Sequence, residues 1–320
     1  MRIEIFQSKD LNILVEVWNR NLHADPISPI VLETRVLLDP NFREEFSLVA
    51  YDVESRSPRR DGSDMAGFIL GICGDGFHFP GSLTGDRAWI LAMAVDARHR
   101  AKGVGSDLLR ELEQRFRDAG KRSIWIASYP TAYIVPGVDE AAYSKGLAFL
   151  QKRGYQSAYT AFSMDASLWP PTFSEIVPRK EKELAEQEIS FYTYSSGWLS
   201  AFRAFLRSQV SWDWEWLALR NLSRIGEGTF SPEQFHLAVF RDQVVGYCQY
   251  EGEHFGPFGV AEEFQRKGIG TVLLGRALSS MSRHGMHNAW VLWTGEDTAR
   301  LYARFGFRKS RKFAVLRKEI

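Results

Sequence analysis

Two patterns of apolar and polar positions alternate along the chain. Short apolar stretches, alternating with polar residues or unbroken, read as strands; longer stretches with an apolar residue every third or fourth position read as helices with one buried face. In the first half, strands are expected at residues 2–6, 46–53, 65–73, 87–95, 123–128 and 159–164. Helices are expected at 10–20, from 28 onward, at 103–119 and at 141–153. Ser8 or the Lys9-Asp10 pair caps the first helix, and Ser28-Pro29 sets a capping serine before a proline at the first helical position. In the second half a strand at 189–194 precedes helices near 197–207 and 214–225. Strands 235–240 and 244–250 pair across the turn Arg241-Asp242-Gln243. A strand at 255–260, a helix from 268, a strand at 287–294, a helix at 297–305 and a strand at 313–317 complete the series. Hairpin-linked strands followed by alternating strand and helix predict an α+β fold, a mixed sheet flanked by helices, in each half.

The two halves repeat each other. Five positions after the Val that ends strand 89–95 begins RAKGVGSDLL (100–109), and five positions after the Val that ends strand 255–260 begins QRKGIGTVLL (265–274). Downstream, FLQKRGY (149–155) recurs as LYARFGF (301–307), each a helix end broken by glycine before a strand. The spacing from Gly103 to Gly154 exceeds that from Gly268 to Gly306 by 13 residues, which fall around TAYIVPGVDEAAYS (131–144). Between the copies, paired prolines and a charge run at 167–188 have the composition of a connector. Two domains are expected, 1–168 and 188–320, with a linker at 169–187 and the boundary near residue 175.

Length and composition agree: 320 residues, 45% hydrophobic and 25% charged, suffice for two ordinary globular cores. Forty basic against thirty-nine acidic residues leave a net charge of +1, so no global field draws the protein to nucleic acid or an anionic membrane. Any anion site must be local. Two cysteines, Cys73 and Cys248, form no disulfide framework, and the seven histidines show no metal-ligand spacing, so no metal is expected. The opening MRIEIFQSKD has no signal-peptide pattern and no uncharged apolar run reaches the ~20 residues that span a bilayer; a cytoplasmic protein is expected. The arginine-rich stretch 54–64 lacks interleaved aromatics and reads as a solvated hairpin loop.

A strand ending in Val, a basic turn with two glycines and a helix opening there make a phosphate site. The first-turn N–H groups have no internal partner, and glycines let the backbone approach the oxygens. A dinucleotide fingerprint would need a third glycine where Leu108 and Leu273 stand, and the GK[ST] of a P-loop is absent. What remains is Q/R-x-x-G-x-G/A after the Val-ended strand. In carrying it, the chain resembles the GCN5-related N-acetyltransferases (GNAT), and it does so twice, over nearly all of its length outside the connector. The resemblance implies two tandem GNAT-like acyl-CoA N-acyltransferase domains and acetyl-CoA as cofactor. It places the pyrophosphate on the backbone of Arg100, Ala101, Lys102, Gly103, Val104, Gly105 and Ser106, or of Gln265, Arg266, Lys267, Gly268, Ile269, Gly270 and Thr271. It pairs the pantetheine with Met93, Ala94 and Val95, or with Phe258, Gly259 and Val260.

An alkylamine with a pKa of ~10.4 attacks only when neutral, so a base must take its proton and an acid must protonate the leaving thiolate. The resemblance puts the family's usual acid, a tyrosine four residues before the glycine of the last helix, at Tyr302; Leu150 holds that place in the first half. Chemistry is therefore expected in the C-terminal half, with a thioester carbonyl held by backbone N–H near Val260 and direct attack through a tetrahedral intermediate. The first half then binds acyl-CoA without turnover or acts as a scaffold, unless Tyr129, Tyr133 or Tyr143 substitutes. His254, beside Glu251 and Glu253, is the candidate base. The family often has an asparagine where Glu296 precedes Ala299. SWDWEW (211–216) reads either as packing or as an aromatic acceptor wall.

The expected function is acetyl-CoA-dependent N-acetyl transfer to a small-molecule amine, by a monomer rather than a dimer, with no nucleic-acid or membrane partner. The alternatives are a non-catalytic acyl-CoA-binding or protein-interaction module, or transfer to a protein N-terminus or lysine. Fold alone does not choose the acceptor.

Overall fold

The computed structural model describes residues 1–52, 65–74, 85–132, 134–170 and 176–320. The chain forms two compact units, Met1–Ala161 with Lys312–Ile320, and Phe162–Arg311.

The N-terminal unit runs β1 (Arg2–Ile5), α1 (Leu11–Asn21), α2 (Pro29–Leu32), β2 (Ser47–Tyr51), β3 (Met65–Cys73), β4 (Arg87–Val95), α3 (Val104–Asp118), β5 (Ser123–Ile126), β6 (Val138–Asp139), α4 (Ser144–Gln151) and the start of β7 (Gln156–Ser167). The Ser28 hydroxyl accepts from the Val31 N–H, so the serine-proline start of α2 is capped as its sequence predicts. Strands β1 to β4 are antiparallel neighbours, and β4 runs parallel to β5 from Arg87↔Ser123 to Ile90↔Ile126.

The C-terminal unit takes the rest of β7, then α5 (Ile176–Ala185), β8 (Ile189–Thr193), α6 (Leu199–Gln209), α7 (Trp212–Gly226), β9 (Phe235–Phe240), β10 (Gln243–Glu251), β11 (His254–Val260), α8 (Ile269–Arg283), β12 (Asn288–Thr294), α9 (Glu296–Ala303) and the start of β13 (Arg308–Glu319). Here β8 to β11 are antiparallel, β11 is parallel to β12, and β12 is antiparallel to β7. Both units are mixed sheets flanked by helices, the expected α+β class.

Each unit has two cores, one on either face of its sheet. Trp18 of α1, Leu32 of α2 and Phe68 of β3 pack on one face of the first unit, and Leu108 and Leu112 of α3 with Leu150 of α4 on the other. In the second unit Phe202 and Phe205 of α6 pack on one face, and Leu273 of α8, Tyr302 of α9 and Val177 of α5 on the other.

The domain division departs from the expectation. A single linker at 169–187 is replaced by two crossings inside long strands, at 161/162 in β7 and 311/312 in β13. The end of β7 pairs with β12, Ala166↔Ala289, and the end of β13 pairs with β5, Arg317↔Trp125. The expected boundary near residue 175 falls outside the described residues, but the charge run after it is helix α5. Glu183 pairs with Arg179 and Lys180 on its outer side, while Val177 and Leu184, one heptad apart, are buried against α8. A stretch that reads as connector by composition is an amphipathic helix, because its two apolar positions face a core the repeat supplies.

Candidate functional site

In the N-terminal unit, β4 carries a bulge. Leu70 faces Ala92 and Gly71 faces Ile90, leaving Leu91 unopposed. The alternation shifts there, so Leu91 and Ala92 both lie on the α1 side and Met93 returns to the α3 side. Pairing with β5 ends at the same point, where the Ala127 N–H donates to the Ile90 carbonyl at 2.8 Å. Beyond it the strands part. The Asp96 N–H is bonded to β3 through Ala66, so alternation turns the backbone polar groups of Met93 and Val95 away from β3 into the gap.

The gap runs into the glycine turn, whose conformation is the same in both units. Ala101 and Arg266 have φ of 60° and 62°, and Gly103 and Gly268, which precede α3 and α8, have φ of 90° and 98°. Arg100 Nε donates to the Val95 carbonyl at 3.0 Å, as Gln265 Nε2 does to Val260 at 3.1 Å. The turn is thus a concave run of backbone amides at a helix N-terminus, a geometry that suits an anion.

Over the first turn lies a cavity of ≈ 870 Å³, lined by residues of the N-terminal unit alone. It follows β4 from Ile90 to Val95, includes Arg100, Ala101, Gly103, Val104, Gly105 and Ser106, and is walled by Phe149, Leu150 and Arg153 around the end of α4. Arg153 lies 3.5 Å over the Phe149 ring and donates to the Ser106 hydroxyl at the start of α3. With Arg100 and Lys145 it gives the turn end of the cavity a cationic wall. The loop after α1 contributes His23 and Asp25 to the lining. The Tyr143 hydroxyl donates to Asp25 at 2.8 Å and accepts from the Ala24 N–H at 3.1 Å, with the His23 ring edge-on at 5.8 Å. Sequence reasoning missed His23 and Asp25, because a loop shows no periodicity; their only signal was a place just before the capped start of α2.

The second turn has different surroundings. Phe258, counterpart of Met93, presses its ring on Gly270, where a Cβ would stand 2.8 Å from it. Trp214 and Val210 cover Gly259, and the Lys180 side chain lies over Gly268. Pro257 stands where Ala92 does, in the irregular stretch of β11 between Phe255 and Phe258. Phe305, buried, stands where Arg153 does. Pro257 and Phe305 were legible in the sequence as departures between the two copies.

Tyr302 is 5% exposed, and its ring meets Phe255 at 5.8 Å, Phe258 at 6.3 Å and Phe307 at 5.4 Å. His254 lies against Trp290, their tilted rings 4.4 Å apart. It precedes Phe255, which faces Tyr302, and successive strand residues point to opposite faces, so the fold does not bring His254 and Tyr302 together. Glu251 pairs with Arg224, and the Glu253 carboxylate accepts from the Asn288 N–H. Glu296 pairs with Lys309, which lowers its pKa. The tryptophans of 211–216 lie on α7, where Trp214 packs on Gly259 while Trp216 is exposed beside Arg220, so these two rings share no wall. Asp213, between Trp212 and Trp214, has its pKa raised by burial. Tyr129 is buried outside the cavity and donates to Asp39 at 2.9 Å. Tyr133 and the loop 54–64 lie outside the described residues.

Both halves match models of known families. Residues 33–133 match the acetyltransferase (GNAT) family and residues 231–309 an acetyltransferase (GNAT) domain, together more than half of the chain. No curated protein matches. Among solved structures, a GCN5-related N-acetyltransferase from Sphaerobacter thermophilus is similar over 99% of this chain and 95% of its own, with a TM-score of 0.68 and 17% identity. A tandem GNAT protein from the clavulanic acid biosynthesis pathway is similar over 99% and 98%, with a TM-score of 0.60 and 15% identity. A GCN5-related glucosamine N-acetyltransferase region of a fungal multi-domain β-N-acetylglucosaminidase reaches a TM-score of 0.76 at 16% identity; this chain spans 38% of that protein. At these identities the likeness is one of fold.

Proposed function

With both halves of the chain belonging to the GNAT acetyltransferase family, we propose that it is an acetyl-CoA-dependent N-acetyltransferase whose donor site lies in the N-terminal unit and whose acceptor is a small-molecule amine. The observation that carries this reading is the ≈ 870 Å³ cavity between β4 and β5, open onto the first glycine turn, against the aromatic and lysine side chains packed on the second. This reverses the expectation drawn from Tyr302, which weighed one side chain and not the space around it.

The residues present fit the cofactor. The amides of Gly103, Val104 and Gly105 with Arg100 and Arg153 would hold its phosphates, and the backbone of Met93 and Val95 its pantetheine arm. When bound, acetyl-CoA supplies the activated acetyl group. The protein's part is to bind, orient and move protons. His23 and Asp25 are the groups placed to take the amine's proton, and Tyr143, bonded to Asp25, is the one placed to return a proton in the absence of a tyrosine at Leu150.

The test is calorimetric titration of acetyl-CoA into the wild-type protein and into Gly105→Leu and Gly270→Leu proteins whose folding is checked by circular dichroism. One site lost only in Gly105→Leu is the expected result. Loss only in Gly270→Leu moves the donor to the C-terminal unit. No binding by the wild type overturns the acyl-CoA reading.

A further inference from the structure

On the α8 face of the C-terminal unit a second cavity of ≈ 330 Å³ is lined by Val177, Thr193, His236, Arg276, Ser279 and Arg283. Three elements converge on it for reasons of register. Thr193 and His236 are directly opposed across β8 and β9, so both side chains leave the sheet on one face. Arg276, Ser279 and Arg283 stand three and four residues apart on α8 and share the helix face above them. Val177 of α5 closes one side.

The lining has cations and hydrogen-bond donors but no carboxylate. His236, the floor, is 4% exposed, and neither ring nitrogen has a hydrogen-bond partner. Burial, then Arg276 and Arg283, push its pKa down to about 3, so the imidazole is neutral at physiological pH. Arg276 is held by Glu181. Arg283 makes no ion pair or hydrogen bond among the described residues, and the Ser279 and Thr193 hydroxyls make none either. Unpartnered donors converging with an uncompensated guanidinium over an unsatisfied buried imidazole form the complement of an oxyanion. The space exceeds that of inorganic phosphate and reaches the lower end of small-molecule sites.

We infer that this cavity is a second ligand site, separate from the glycine turns, that takes the phosphoryl group of phosphate or of a small phosphorylated metabolite. Arg283, Ser279 and Thr193 hold the oxygens, and His236 offers its one N–H from below.

The probe is inorganic phosphate, titrated by calorimetry into protein saturated with CoA in phosphate-free buffer, so that any anion site at the first turn is filled. A parallel titration uses glucose 6-phosphate. The expected result is one phosphate site in the wild type, weakened about tenfold or more in Arg283→Gln and unchanged in Arg153→Gln. Tighter binding of the sugar phosphate than of phosphate identifies a metabolite as the ligand, and equal binding identifies the free anion. Arg283 is exposed, so its replacement leaves the fold intact. Absence of phosphate binding, or equal affinity in Arg283→Gln, overturns the proposal. Neither result bears on the acetyl-CoA site, which the saturating CoA reports separately.

Discussion

Arg153, just past the end of α4, reaches the Ser106 hydroxyl at the start of α3 with its guanidinium stacked 3.5 Å over Phe149. One interaction joins the two helix ends that border the glycine turn and sets a fixed positive charge beside its amides. A charge-assisted bond to phosphate is worth ~1.5–3 kcal/mol. Replacing Arg153 with Gln is expected to weaken acetyl-CoA binding by about tenfold or more while leaving the unfolding midpoint in urea nearly unchanged; titration calorimetry and urea melts measure the two.

Tyr302 packs its ring among Phe255, Phe258 and Phe307. If acetyl transfer runs in the N-terminal unit, Tyr302→Phe keeps its full rate of CoA release with any accepted amine. Tyr302→Ala instead loses stability, by ~3–5 kcal/mol on the scale of aromatic core truncations. A large fall in turnover for the phenylalanine variant would return the chemistry to the C-terminal unit.

Lys318 of β13 donates to both oxygens of buried Glu113 at 2.8 Å, and the Tyr155 hydroxyl donates to the same carboxylate at 2.9 Å. Burial and the Glu113 charge together raise the Tyr155 pKa. Lys318→Met leaves that carboxylate without its main cation, a change that costs ~3–5 kcal/mol when a buried pair is broken. Chemical denaturation followed by tryptophan fluorescence, with Trp18 and Trp89 buried in the same unit, reports the loss.

His236 gives stability a pH dependence of known sign. Its folded pKa is lowered to about 3 from 6.5, so between those values the unfolded chain binds the proton and the folded protein does not. Its contribution is fully present above 6.5 and is lost as pH falls towards 3, at about 1.4 kcal/mol per pH unit. Unfolding free energies between pH 6 and pH 4 should therefore fall less steeply in His236→Leu than in the wild type, in phosphate-free buffer.

Much of the architecture was legible because it depends on local signals. The limits of β3 and β4 follow their apolar runs, the Ser28-Pro29 pair starts α2, and the two glycine turns adopt matching dihedrals because both carry glycine where φ is strongly positive. The candidate cradle at Arg100 to Ser106 was readable for the same reason. The pairing of Tyr143 with Asp25 was not, since 118 residues separate them and neither sits in a repeating pattern.

By itself the sequence determined two copies of one strand, turn and helix series and the positive-φ backbone of both turns. All of these are set by residues near one another in the chain. Only the tertiary structure decided which turn opens on a cavity, since that depends on what arrives from elsewhere: Lys180 and Trp214 on the second turn and its strand, Arg153 beside the first. It also decided where the chain crosses between units. Composition cannot tell a connector from a helix whose two apolar positions find a core, nor a strand that ends from one that continues into a second unit, because burial is a property of the partner and not of the segment.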